Sequence, residues 1–243
     1  MKQAMIFAAG LGTRLRPLTD NMPKALVNVG GKPLIDHVIS RLANAGFERI
    51  VVNVHHFADM IVRHLDDVNI HGVQVLISDE TDALLETGGG LRRAAPLFHS
   101  DSNILIHNVD IMSNVDLENF YDCSKNCDAN LLVSKRETSR YLLFDHDMRM
   151  AGWTNVKTGE IRSPYEKFDP DACTRLAFSG IHVVSPRLLK MMQDWPPRFG
   201  IIDFYLSVCN SVNIKGFQMD NLKLVDVGKI ETLKSAEQFL KTI

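Results

Sequence analysis

The first half of the chain alternates short apolar runs with segments in which apolar residues recur at helical spacing. Runs of this kind predict buried strands at residues 4–8, 50–54, 73–77 and 103–107. Between them, residues 33–45 and 58–65 predict amphipathic helices, the first with Leu34, Val38 and Leu42 on one face. Strands that alternate with helices predict a parallel sheet with right-handed crossovers.

The second half has a more mixed pattern. We expect strands at residues 131–134, 141–144, 148–153 and 176–184, two short strands within 216–225, and helices at 186–193, 201–211 and 231–242. The polar stretch 155–171 contains Gly159, Pro164 and Pro170 and predicts a loop or a small lid. Together the two halves predict an α/β fold of three layers, α, β and α, with a mostly parallel sheet and a small mixed sheet or lid.

Composition excludes several functional classes. The 243 residues are 45% hydrophobic and 23% charged, as in ordinary soluble proteins, and fit one large domain. The net charge of −2 argues against binding nucleic acid or membranes through bulk charge. The four cysteines lack the spacing of a zinc site or a CxxC motif, so we expect free, buried thiols. No signal peptide or membrane span is visible, which predicts a cytoplasmic protein.

The segment after the first strand carries the strongest chemical signal. Gly10 and Gly12 interrupt it and allow backbone N–H groups to approach a bulky anion. Arg14, Arg16 and Lys24 follow and add positive charge suited to phosphate oxygens. Ligands of parallel sheets bind beyond the carboxyl ends of the strands, where this loop and Asp110 are both expected. The segment therefore predicts a site for a triphosphate.

Two common phosphate-binding motifs do not fit this loop. The third glycine of G-x-G-x-x-G would fall on Leu15, and the Gly-Lys-Ser/Thr of a Walker A loop is absent. The pattern that fits is G-x-G-T-R with Pro23-Lys24 about ten residues later. It resembles the signature of nucleoside-diphosphate-sugar pyrophosphorylases, the sugar-1-phosphate nucleotidylyltransferases. Further similar segments lie at residues 86–90, 108–110, 178–181 and 225–228, so the resemblance covers nearly the whole chain.

The resemblance implies a Rossmann-like fold and a role for each matching residue. It implies Arg14 and Lys24 as catalytic residues, and Asp110 and Asp226 as ligands of the cofactor Mg²⁺. The implied nucleotide-binding residues are Ala8, Ala9, Gly10, Leu11, Gly12, Thr13, Glu86, Thr87, Gly88, Gly89 and Asn108. Ser179 and Gly180 are expected to line the sugar site, and Asn155 is a further candidate there. Val109 stands where the family often has glycine.

The implied partners are a nucleoside triphosphate and a sugar-1-phosphate, without nucleic acid or membrane. A single domain is expected over residues 1–243, with its nucleotide-binding half at about 1–115 and its sugar-binding half at about 116–243. The Glu86–Gly90 segment and the lack of a C-terminal β-helix favour a short uridylyltransferase of cell-wall recycling, with N-acetylmuramate-1-phosphate as a candidate acceptor. We expect a monomer or a homodimer.

Three alternatives stay open at this stage. Guanylyl transfer to mannose-1-phosphate and cytidylyl transfer to phosphocholine use the same fold and differ only in base and acceptor. A non-catalytic domain that senses nucleotide sugars is the third, and Val109 is its only support.

Overall fold

A computed structural model describes residues 1–67 and 70–242 and is built around a twisted ten-stranded sheet. The strands are Lys2–Phe7 (β1), Asn28–Val29 (β2), Lys32–Pro33 (β3), Phe47–Val54 (β4), Gln74–Asp79 (β5), Ile104–Asn108 (β6), Ile111–Ser113 (β7), Ala129–Ser134 (β8), Arg140–Phe144 (β9), Met150–Asn155 (β10), Glu160–Arg162 (β11), Thr174–Val184 (β12), Ile214–Gln218 (β13) and Leu224–Asp226 (β14). The helices are Leu34–Asn44 (α1), Ala58–Asp66 (α2), Glu86–Ala94 (α3), Leu117–Cys123 (α4), Pro186–Met191 (α5), Ile201–Val208 (α6) and Ile230–Leu240 (α7).

The main sheet has a parallel and an antiparallel half. Strands β5, β4, β1 and β6 lie side by side and parallel, because helices α1, α2 and α3 lie in the crossovers that connect them. Strand β12 runs antiparallel to β6 and connects it to β9, β10 and β11, while β8 and β13 pair beside β12. The predicted α/β fold is confirmed. The mixed part is continuous with the parallel part and does not form a separate small sheet.

Helices cover both faces of the sheet, which gives the three predicted layers. Alternate residues of β1 point to opposite faces, so Ala4 and Ile6 pack with α1, α2, α4 and α7, whereas Met5 packs with α3, α5 and α6. The carboxyl ends of the parallel strands are left uncovered by this arrangement. They form the rim on which a ligand site is expected.

Several elements differ from the sequence-based expectation. The stretch 155–171 is not only a loop, because β11 pairs with β10 as an antiparallel hairpin within it. The cysteines are free, but only Cys209 is buried, so the expected burial is wrong for the other three. Within the described ranges, no helix is long and apolar enough to cross a membrane.

Two buried histidines make the stability of the protein depend on pH. Burial lowers the pKa of His182 to about 3 and that of His107 to about 4, below the usual value of about 6.5. The unfolded chain therefore binds protons that the folded chain does not, and stability is lost as pH falls below about 6.5. Between pH 7 and 4.5, we expect the melting temperature of His182→Gln to fall less steeply than that of the wild-type protein. His146→Gln, at an exposed position, should keep the wild-type slope; equal slopes for all three proteins would contradict the assignment.

Candidate active site

A cavity of about 520 Å³ opens at the carboxyl ends of β1, β4 and β6. Its wall brings together most of the residues that the sequence predicted for a nucleotide. Predicted residues on this wall are Ala8, Ala9, Gly10, Leu11, Gly12, Thr13, Arg14, Lys24, Glu86, Thr87, Asn108 and Asp110. The cavity is therefore the candidate active site.

The loop after β1 is held in shape by its own hydrogen bonds. Gly12 has a φ of 64°, a left-handed conformation that favours glycine, and precedes a single 3₁₀ turn at Thr13–Leu15. Its carbonyl oxygen accepts hydrogen bonds from the Thr19 hydroxyl and the Leu15 N–H, both at 2.9 Å. Leu15 is fully buried and fixes the loop to the core. The segment is thus preorganised before any anion arrives.

Gly10 and Gly12 serve different purposes, which alanine substitutions can separate. A Cβ on Gly12 would lie 3.0 Å from the Lys24 Cβ and 3.1 Å from the Thr19 Cγ2, in addition to the unfavourable φ. We expect Gly12→Ala to lower the free energy of unfolding by about 1–3 kcal/mol. A Cβ on Gly10 would meet nothing within 4 Å, so Gly10→Ala should keep its stability but raise the KM for the triphosphate. Urea denaturation and steady-state kinetics measure both; equal stability loss in the two variants would contradict this division.

A buried ion pair lies on the floor of the cavity. Lys24 follows Pro23 in a short 3₁₀ turn, is only 9% exposed, and its Nζ forms an ion pair and hydrogen bond with Asp110 Oδ2. Asp110 lies two residues after the end of β6 and keeps 17% of its side chain exposed, towards the cavity. The pair holds the Lys24 ammonium group in a fixed position at the cavity, with little water around it.

A second group of charges lies on the rim at Gly228. A Cβ there would lie 2.6 Å from Asp226 Oδ1 and 2.8 Å from an Arg14 guanidinium nitrogen, so the absence of a side chain lets both approach the same point. Asp226 itself is exposed and is not part of the cavity wall, whereas Gly228 is. The Val227 N–H donates to the Asp110 carbonyl oxygen at 2.8 Å, so the two aspartate-bearing segments are directly joined.

The carboxylates of Asp110 and Asp226 fit Mg²⁺ better than a metal that takes all of its ligands from the protein. Within residues 1–67 and 70–242 there is no group of three or more His, Cys, Asp or Glu side chains arranged for a metal. Two carboxylates on adjoining segments match the one or two that Mg²⁺ commonly takes, with phosphates and waters as the other ligands. Asp110 and Asp226 are the residues that could hold it.

The sequence reasoning missed a buried polar pair at the back of the cavity. Asn53, near the end of β4, accepts a hydrogen bond from the Ala8 N–H at 2.7 Å and donates one to Glu80 Oε1 at 2.7 Å. Glu80 is fully buried, and this burial raises its pKa. Both side chains line the cavity. A polar residue inside the apolar run Ile50–Val54, and an acid directly after β5, were the signals that could have found them.

The three glycines of α3 lie behind the cavity wall and not on it. A Cβ on Gly88 would lie 2.2 Å from the Phe199 ring, one on Gly89 2.3 Å from the Pro197 carbonyl oxygen, and one on Gly90 2.6 Å from Glu80 Oε1. The N–H groups of Gly88 and Gly89 donate to the Phe199 carbonyl oxygen. These glycines bring α3 close to its neighbours, and only Glu86 and Thr87 of the segment reach the cavity.

Glu86 and Thr87 join the cavity wall to the segment before α6. Glu86 has a φ of 64°, rare for a residue with a side chain, and forms an ion pair with Arg198 at 3.0 Å. The Thr87 hydroxyl accepts a hydrogen bond from the Ile201 N–H at 2.9 Å. The ion pair and the hydrogen bond together fix the position of Gly200, another residue of the cavity wall.

None of the three predicted sugar residues is part of the lining of this cavity. Gly180 has a φ of 75°, and a Cβ there would lie 2.6 Å from Asn108 Nδ2, so its lack of a side chain makes room for Asn108. Ser179 is 1% exposed and lies outside the cavity lining. Asn155 lines a neighbouring cavity instead.

Val109 has no positive φ and its N–H donates to the Phe7 carbonyl oxygen, so valine is accommodated here without backbone strain.

Comparison with known proteins agrees with this geometry. The sequence profile of the family described as "Nucleotidyl transferase" matches residues 3–242. An N-acetylmuramate alpha-1-phosphate uridylyltransferase of Caulobacter vibrioides is 50% identical over 111 residues, which are 45% of this chain and 46% of that protein. The match thus spans less than half the length of that relative.

Other relatives match over most of the chain at lower identity. A UTP–glucose-1-phosphate uridylyltransferase of Haloferax volcanii is 27% identical, over 98% of this chain and 96% of its own. A mannose-1-phosphate guanyltransferase of Saccharomyces cerevisiae is 26% identical, over 90% of this chain and 60% of its own. The crystal structure of a putative glucose-1-phosphate thymidylyltransferase from Bacillus anthracis superposes with a TM-score of 0.82 at 16% identity, covering 100% of this chain and 96% of that one. That likeness concerns the fold alone.

Proposed function

The chain belongs to the nucleotidyl transferase family, and from that premise we propose that it transfers a uridylyl group from UTP to N-acetylmuramate-1-phosphate, with release of pyrophosphate and with Mg²⁺ as cofactor. The observation that carries the proposal is the cavity in which a preorganised glycine loop faces the buried Lys24–Asp110 pair. Transfer between phosphates needs backbone N–H donors, a lysine in a fixed position and a carboxylate. This cavity has all three.

The proposed reaction is an in-line displacement at phosphorus. A phosphate oxygen of the sugar-1-phosphate attacks the α-phosphorus of the triphosphate, a new P–O bond forms, and the bond to the β-phosphate oxygen breaks. Such a transfer requires alignment and charge stabilisation more than covalent help from the protein. The residues of this chain therefore act by binding and orienting the two phosphates.

Each charged residue has a distinct part in this proposal. The N–H groups near Leu11–Thr13 bind the triphosphate oxygens, and Arg14 at the rim stabilises the charge that builds on the departing pyrophosphate. Lys24 lies between the two reacting phosphates and reduces their mutual repulsion. Mg²⁺ held by Asp110 and Asp226 supplies further neutralisation of phosphate charge when bound.

The buried Asn53–Glu80 pair supports a pyrimidine base. Oε1 of Glu80 is taken by Asn53 at 2.7 Å, while Oε2 has only a 3.4 Å contact with the Leu85 N–H. One carboxylate oxygen of the cavity lining lacks a short hydrogen bond, and it fits the single imide N–H of uracil. Guanine presents two donors, the N1–H and the N2 amino group, and fits one such oxygen less well. Asn53 also accepts a hydrogen bond from the Ala8 N–H. This bond fixes the backbone after β1, next to the proposed position of the base.

The acceptor is proposed from two relatives that are highly identical over part of the chain. The two proteins that are 50% and 43% identical, each over about half of this chain, are both named N-acetylmuramate alpha-1-phosphate uridylyltransferases. The guanyltransferase relative makes GTP with mannose-1-phosphate the second candidate pair.

A matrix of substrates tests the proposal. Purified protein is incubated with each of the four ribonucleoside triphosphates and, in turn, the 1-phosphates of N-acetylmuramate, N-acetylglucosamine, glucose and mannose, with Mg²⁺ and with EDTA, and pyrophosphate is measured. We expect the fastest release with UTP and N-acetylmuramate-1-phosphate and none with EDTA. Fastest release with GTP and mannose-1-phosphate would replace the proposal by the second candidate. Release in no combination would contradict both.

A further inference from the structure

A second cavity of about 480 Å³ adjoins the first, and its floor is one face of the antiparallel hairpins. In the register of the strands, Asn155 lies opposite both Arg140 and Glu160, and Trp153 lies opposite both Leu142 and Arg162. Residues directly opposite each other on antiparallel strands have their side chains on the same face. Strands β9, β10 and β11 therefore present these six side chains together, as one built surface.

The two cavities meet along a shared wall. Gly200 lines the first cavity, and a Cβ on it would lie 2.9 Å from the carboxylate of Asp203, which lines the second. On the opposite side, Asn108 lines the first cavity and Phe178 the second, with Gly180 packed against the Asn108 amide. The second cavity is therefore a neighbour of the cavity that contains Lys24.

Three arginines give the second cavity an excess of positive charge. Arg162 is held by Asp203 at 2.8 Å and lies 5.7 Å above the Trp153 ring, and Arg136 donates to the Phe178 carbonyl oxygen at 2.9 Å. The Arg140 guanidinium has no hydrogen bond or ion pair with any residue in the part of the chain that the structure describes. The acids of the lining are Glu160 and Asp203, and the latter is already paired, so the arginines outnumber them.

We infer that the second cavity binds the sugar of the acceptor and that Arg140 recognises a carboxylate substituent on that sugar. This inference rests on the proposed function and makes it more specific. A guanidinium offers two parallel N–H donors that match a carboxylate, and within the described residues Arg140 is the arginine of this lining that has no hydrogen bond or ion pair through its side chain. The Trp153 and Phe178 rings give the apolar surface against which a sugar ring packs.

Two acceptors that differ in the carboxylate test the inference. N-acetylmuramate-1-phosphate carries a lactate ether on the ring of N-acetylglucosamine-1-phosphate and is otherwise the same compound. We expect the wild-type protein, with UTP, to favour the first by about 10- to 100-fold in kcat/KM, as a charge-assisted hydrogen bond pair implies. In Arg140→Gln the preference should collapse towards one, mainly through KM, and in Arg140→Lys it should recover in part.

Arg175→Gln is the matched control, because Arg175 is an exposed arginine on β12 outside both cavities. It should keep the wild-type preference. Equal efficiency of the wild type on both sugars, or an equal loss on both in Arg140→Gln, would overturn the inference while leaving uridylyl transfer intact. Calorimetric titration of each sugar phosphate decides the same question without turnover. If the protein releases no pyrophosphate but binds the carboxylate sugar more tightly through Arg140, the proposed function fails and the recognition of the carboxylate stands.

Discussion

Replacement of Lys24 by methionine is expected to lower kcat by about a thousandfold and to lower the free energy of unfolding by about 1–3 kcal/mol, because Asp110 loses its counter-ion. Lys24 is 9% exposed and its charge is fixed by Asp110 within the cavity, so it stabilises negative charge that accumulates as the two phosphates approach. Methionine keeps the aliphatic stem that packs against Gly12, and it removes only the charge. The measurements are the rate of pyrophosphate release at saturating substrates and the melting temperature.

Lys32→Met provides the control for this substitution. Lys32 is an exposed lysine on β3, outside both cavities, and its replacement should leave kcat within about twofold. If Lys24→Met also keeps a near-normal kcat, Lys24 takes no part in the chemistry. If Lys24→Met is no longer folded at the assay temperature, the loss of activity reflects the structure of the loop and not the reaction.

The parallel half of the fold could be predicted because its signals are local. Apolar runs at β1, β4 and β6 and the helical spacing in α1 require no knowledge of distant residues. Strands β7, β11 and β14 have three residues each, too few to show a period, and they exist because a partner strand pairs with them. Helix α4 had a usable signal that was overlooked: the Asp116 carboxylate caps it by accepting from the Asn119 N–H.

The candidate site likewise has one part that the sequence predicts and one part that depends on distant residues. The loop with Gly12, Arg14 and Lys24 is a contiguous pattern, so its chemistry can be proposed from sequence. The Asn53–Glu80 pair joins a residue of β4 to the residue that follows β5, 27 positions away, and depends on the register of the two strands. Gly88 and Gly89 of α3 are likewise explained by Phe199 and Pro197, more than a hundred residues away, which no local pattern contains.

Asp110→Asn is expected to raise the Mg²⁺ concentration for half-maximal activity at least tenfold and to lower kcat by about a hundredfold or more. Asparagine has the same shape but lacks the negative charge that attracts the cation. It also leaves Lys24 without its counter-ion in a nearly buried position, so we expect stability to fall by about 1–3 kcal/mol. Activity is titrated with Mg²⁺ at fixed UTP, and stability is measured by urea denaturation.

The double variant Lys24→Met, Asp110→Asn separates the structural role of the ion pair from its role in the reaction. Removing both charges leaves no unpaired charge in the cavity floor, so the double variant should be more stable than Asp110→Asn, while its activity should stay at or below that of the less active single variant. Asp147→Asn, at an exposed aspartate far from β6 in sequence, should keep the wild-type Mg²⁺ titration. An unchanged titration in Asp110→Asn would mean that the cation binds elsewhere. Recovery of activity together with stability in the double variant would show that the pair serves folding alone.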